Sequence, residues 1–149
     1  MKRHPEPGEG PPPARGHTTL PHTADVRIRA WAPTRAQCVA EAVRAMVEGF
    51  ADLSAAVQCG TRSLHIDAGP PEDQLLAALD EVIYELDAGA RVPCSVDVHE
   101  DEDGLHLTLG MTDVATVLQI GAVPKGVSLH DLRFDRSPEG WVCTVTVDV

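Results

Sequence analysis

The 149-residue chain fits a single domain, and its 23 acidic against 12 basic residues give a formal net charge of −11. That balance, with no run of Lys or Arg, argues against autonomous RNA or DNA binding, because phosphate contact needs a basic face. It leaves a metal ion, a basic protein surface or simple solubility as reasons for the acidity.

The first 16 residues, "MKRHPEPGEGPPPARG", have no apolar h-region and so do not read as a secretory signal. Residues 1–19 are Pro- and Gly-rich with almost no large apolar side chain, and are expected to form a flexible tail. The domain is then expected over residues 20–149. No run is long enough to span a membrane. Cys38, Cys59, Cys94 and Cys143 form no CxxC pair, which removes support for a zinc ribbon or thioredoxin-type site. A cytoplasmic protein with reduced thiols is expected.

The first strand is predicted over about residues 25–32, where Val26, Ile28 and Ala30 alternate with Arg27, Arg29 and Trp31. Thr34 suits the N-cap of a helix whose apolar face is Val39, Val43, Met46, Val47 and Phe50, with Glu41, Arg44 and Glu48 off that face. Leu64, Ile66 and Ala68 mark a short second strand. The segment "GPPEDQLLAALDEVIYELDAG" reads as a second helix. Pro70 and Pro71 open it, Glu72 and Asp73 suit its positive end, and Gly89 is placed to close it. Leu75, Leu79, Val82, Ile83 and Leu86 form its buried stripe. Strands follow near 92–98, 105–110, 126–134 and 141–148. A loss of alternation near His130 and Asp131 implies a bulge or turn. The order β-α-β-α followed by strands predicts an α+β fold: a two-layer sandwich with two helices on one face of a mixed, largely antiparallel sheet.

No Walker A, GxGxxG, HExxH or GxSxG motif is present, so the candidates for chemistry are dispersed. Asp25 stands at the head of the first strand. Asp148 projects from the less apolar face of the last strand, beside Val149 and its terminal carboxylate. Those oxygens suit a hard divalent cation, although most strand-end aspartates are solvated or cap a turn. Lys125 follows Pro124 in a loop-like stretch, where a surface lysine is the plain reading. His22 and His130 have the chemistry of general bases, with turn hydrogen bonding the commoner role. Glu81 lies beside the buried stripe of the second helix, where a solvated carboxylate is usual.

Five blocks in order resemble the archease family. They are "HTAD" at 22–25, "CVAEAVRAMVEGF", "EDQLLAALDEVIYELD" with Glu81 at a glutamate of the family pattern, "PKGVSLHDL", and "WVCTVTVDV" with its penultimate aspartate. Three positions depart from that pattern: Ala78 stands for Trp, Gly126 for Ala and Leu129 for Tyr. The resemblance implies an accessory protein of an RtcB-type RNA ligase, not itself a ligase. Such a protein promotes ligase guanylylation and multiple turnover in tRNA splicing or RNA repair. It also implies metal ligation by Asp25, Asp148 and the main-chain or terminal oxygens of Val149. Calcium is expected first, with magnesium or manganese as alternatives. Lys125 becomes the functionally needed lysine, and His22 a residue that orients the loop or a ligand. A general protein chaperone and a small metal-dependent hydrolase using His22 or His130 are the rival readings.

Overall fold

The computed structural model describes residues 13–21 and 25–149. Among these residues the chain forms nine strands, two α-helices and one 3-10 turn. The strands are β1 (Gly16–Pro21), β2 (Asp25–Ala32), β3 (Ala51–Asp52), β4 (Gly60–Asp67), β5 (Arg91–Asp101), β6 (Gly104–Asp113), β7 (Leu118–Gln119), β8 (Gly126–Ser137) and β9 (Gly140–Asp148). Helix α1 spans Arg35–Glu48 and α2 spans Pro71–Gly89.

Helix α1 starts where expected, with Thr34 Oγ1 accepting the N–H of Gln37 at 3.1 Å. Val39, Val43, Met46 and Val47 are buried, and so are Ala36, Cys38, Ala40, Ala42 and Ala45. Small side chains around much of its circumference let α1 pack against β2, β9 and β5 as well as α2. Glu41, expected off the apolar face, is also buried, at 7 % exposure. Helix α2 opens at Pro71 with Glu72 and Asp73 in its first turn, and buries Leu75, Ala78, Leu79 and Val82. Its end differs from expectation. Gly89 remains helical, and Ala90 takes the left-handed conformation at φ 50°, its N–H bonded to Glu85 O. The chain must reverse immediately before β5 begins at Arg91, so the residue at the reversal adopts the left-handed geometry despite its Cβ.

The α+β class is as expected, but the strands divide into separate antiparallel sheets ordered β1-β2-β9-β8, β4-β6-β5 and β3-β7. The mixed character expected from helical crossovers is absent for a simple reason. Strands β4 and β5, joined through α2, run parallel to each other, but β6 inserts between them and is antiparallel to both. The core is built from inward-facing Ile28, Ala30 and Ala32 of β2, Cys143, Val145 and Val147 of β9, Phe134 of β8, and Leu105, Leu107, Leu109 and Met111 of β6. The irregularity expected near His130 is present: Ser128 pairs with Thr146 and Arg133 with Thr144, so five residues of β8 span two steps of β9.

The expected tail boundary at residue 19 is corrected. Gly16–Pro21 form β1, paired along β2 from Gly16↔Trp31 to Pro21↔Val26. Trp31 Nε1 donates to Pro13 O at 2.8 Å, and Arg15 and His17 reach Glu41. An edge strand held by its ladder and by polar contacts needs few apolar side chains, so composition gave no sign of it.

Candidate functional site

The antiparallel ladder of β2 and β9 sets Asp25 directly opposite Asp148, at the start of one strand and the end of the other. Side chains at opposed positions leave the same face with Cβ atoms about 4.5–5.5 Å apart. The two carboxylates therefore stand side by side. On the other flank of β9, Asp148 pairs with Gly126 of β8. Asp148 Oδ2 lies 3.9 Å from where a Cβ on Gly126 would sit, so a side chain there would only just touch the carboxylate. The N–H of Lys125 donates to Asp148 O at 2.8 Å. One end of the four-stranded sheet thus gathers Asp25, Asp148, Val149 and the backbone of Lys125–Gly126. Asp25 and Val149 are half-buried, and Asp148 and Lys125 are exposed. Two adjacent anions repel, and their oxygens are hard donors, so this set fits a hard divalent cation in both charge and ligand type.

Lys125 also borders a groove formed with Pro124, Val123 and the α2 residues Asp80, Ile83, Tyr84 and Asp87. Burial pushes the Asp80 carboxyl above its ordinary range. This acidic flank was not anticipated, although Asp80, Tyr84 and Asp87 recur at helical period opposite the buried stripe of α2.

The remaining candidates lie elsewhere or outside the described residues. Glu81 does not line the groove. It pairs with Arg62 of β4, which also reaches Glu85 at 3.0 Å. His130 sits in the irregular stretch of β8 with its side chain 88 % exposed, and its N–H donates to Ser128 Oγ at 3.3 Å. His22 lies outside the described residues. Among the described residues no helix is long and apolar enough to cross a membrane.

The family model described as "Archease protein family (MTH1598/TM1083)" matches residues 17–149. Proteins named "Probable protein archease" from two Mycobacterium tuberculosis strains, CDC 1551 / Oshkosh and H37Rv, are each 46 % identical over 134 residues. Each alignment covers 90 % of this chain and 75 % of the relative. The solution structure of Methanobacterium thermoautotrophicum protein 1598 superposes with a TM-score of 0.71 at 23 % identity, covering 90 % of this chain and 99 % of that one. A Thermotoga maritima crystal structure described as "an archease, possible chaperone" gives 0.60 at 18 % identity, covering 87 % and 92 %. These two structures share the fold.

Proposed function

Because the chain belongs to the archease family, we propose that it serves an RtcB-type RNA ligase as an accessory factor in the cytoplasm and is not itself an enzyme. It promotes the ligase's guanylylation, the transfer of GMP from GTP to a ligase histidine, and so supports repeated turnover in tRNA splicing or RNA repair. The observation that carries this reading is the gathering of Asp25, Asp148 and Lys125 at one sheet end. Asp25, Asp148 and the main-chain oxygens of Val149 would hold a divalent cation, calcium first and magnesium or manganese as alternatives, which supplies positive charge between two carboxylates that otherwise repel. The Lys125 N–H ties its loop to β9, and its exposed ammonium offers a compact point charge to a phosphate or carboxylate of the ligase. A surface of net charge −11 complements a basic ligase cleft and disfavours competition for RNA.

The test is formation of radiolabelled ligase–GMP in the presence of GTP, a divalent metal and each variant. Asp25→Ala, Asp148→Ala and Lys125→Ala should each lower the stimulation given by the wild type while leaving circular dichroism unchanged. Lys125→Met should fail as Lys125→Ala does, because it keeps length and loses charge. A rate unaffected by the wild-type protein, or a triple variant as effective as wild type, overturns the reading.

A general chaperone role is the second reading, favoured by Leu118, Ile120 and Leu129 at 65 %, 59 % and 66 % exposure. It predicts suppressed aggregation of unrelated unfolded clients, lost on replacing these three residues by Ser.

A further inference from the structure

The β4-β6-β5 sheet carries a second set of ligand-type side chains, independent of the carboxylate pair. His65, His106 and His99 occupy one rung of that sheet, as the registers His65↔His106 and His99↔His106 require. Their rings lie in file, with centroids 4.7 Å apart between His65 and His106 and 4.9 Å between His99 and His106. They project from the face opposite buried Leu105 and Leu107. Asp101 follows His99 by two residues, and Asp67 follows His65 by two, so both carboxylates share the histidine face. One ligand atom from each of His99, Asp101 and His106 lies within 4.8 Å of the others. The hairpin that sets this register is tight. Gly104 adopts φ +135°, and a Cβ there would sit 2.0 Å from Ile66 O, so β4 closes directly onto the turn.

The hydrogen-bonding order within the set leaves one nitrogen unprovided for. His65 Nε2 stands 3.1 Å from Asp67 Oδ1. An ionised carboxylate only accepts, so that nitrogen carries hydrogen, and in the neutral ring Nδ1 is then the acceptor. His106 Nδ1, 3.4 Å from His65 Nδ1, becomes the donor of the pair. A neutral His106 is left with a bare Nε2. That atom is buried and faces Asp101 Oδ2 at 2.9 Å. The other Asp101 oxygen is already engaged, accepting the N–H of Asp103 at 2.9 Å. A nitrogen lone pair and a carboxylate oxygen facing each other at that distance call for a cation shared between them. A divalent metal ion supplies such a cation.

We propose that His99, Asp101 and His106 form a binding site for zinc, with His65 and Asp67 as the outer residues that fix the His106 tautomer. Two imidazoles and one carboxylate suit a borderline cation better than calcium or magnesium, and three protein ligands leave a fourth position for water. Tetrahedral zinc places its ligand atoms about 3.3 Å apart, so the His106–Asp101 pair opens slightly from 2.9 Å and the wider separations within the set close by rotation. His99 and Asp101 are exposed and free of core packing, and supply that rotation. The cation then clips the end of the β5–β6 hairpin.

Isothermal titration of the full chain with zinc chloride at neutral pH tests this, with circular dichroism as the control for folding. One zinc per chain is expected. His99→Ala, Asp101→Asn and His106→Ala should each weaken it by about tenfold or more, and His65→Ala by about 10- to 100-fold as a tautomer-fixing residue. Asp25→Ala and Asp148→Ala should bind zinc as wild type does. Nitrogen-15 spectra of the imidazoles should show zinc acting at His106 Nε2. The exposed His99 makes its variant secure against misfolding. Zinc affinity unchanged in His99→Ala and His106→Ala overturns the proposal, as does zinc binding abolished by Cys59→Ser alone. Absence of any zinc heat or melting shift in the wild type also overturns it.

Discussion

Glu41 shows how one residue type in an apolar helix can organise its surroundings. Its carboxylate is nearly covered, yet it meets His17 Nδ1 at 2.9 Å, Arg44 at 2.9 Å and the Arg15 guanidinium. Arg44 in turn donates to Val96 O at 2.6 Å, tying α1 to β5. Burial by itself would push the Glu41 carboxyl up. The His17 and Arg15 hydrogen bonds and the charges of Arg15 and Arg44 outweigh it, leaving the group below its ordinary value of 4.5. A depressed carboxyl contributes stability that is complete above the unfolded value and disappears as pH falls through the folded one. Glu41→Gln should therefore cost about 1–3 kcal/mol at neutral pH by leaving charged donors unmatched. That corresponds to a fall in melting temperature of roughly 3–10 °C for a chain of this size. As pH falls from 4.5 through the lower folded-state value the two melting curves should converge, because wild type progressively loses the same contribution. Parallel curves down to the acid limit would show that Glu41 is not ionised in the fold.

The same cluster decides the role of β1. Residues 1–18 include Arg15, His17 and half of the strand that lies along β2. Removing them should lower the melting temperature by about 5 °C or more, whereas removing residues 1–11 keeps Pro13, Arg15 and β1 and should change it by less than about 1 °C. Equal melting of both truncations and wild type would mean that the ladder adds nothing. Elements with an apolar period were legible in the sequence: β2, both helices, β5, β6, β8 and β9 lie close to their predicted spans. Strands β1, β3 and β7 were not. β1 is held by backbone and polar contacts, and β3 and β7 are two-residue pairings, Ala51↔Gln119 and Asp52↔Leu118, that no local pattern encodes. The left-handed Ala90 was hidden for a related reason: Gly89 beside it carries the expected composition, while the geometry is set by where β5 must begin.

At the scale of the whole molecule, the candidate site was legible only where the residues announced a strand end. Asp25 and Asp148 could be named from sequence, but their opposition is a register between strands more than a hundred residues apart, which periodicity alone does not fix. The groove beside Lys125 and the histidine rung are likewise properties of the assembled sheets and α2. What composition did give is the charge, and it makes a prediction that the fold now sharpens. Lys125 stands among Asp80 and Asp87, near the Asp25–Asp148 end, within a surface of net charge −11. On the proposed ligase reading, such a surface would attract a basic cleft over distances set by ionic strength, with a Debye length of about 30 Å at 0.01 M salt and about 8 Å at 0.15 M. In the ligase–GMP assay, the concentration of this protein giving half-maximal stimulation should rise steeply between those two salt levels. The stimulation at saturation should stay the same, because screening weakens encounter before it alters the docked contact. Asp80→Asn with Asp87→Asn should flatten the salt dependence. A half-maximal concentration indifferent to salt would place the contact on the exposed Leu118, Ile120 and Leu129 side chains, and would make apolar capture rather than charge the basis of recognition.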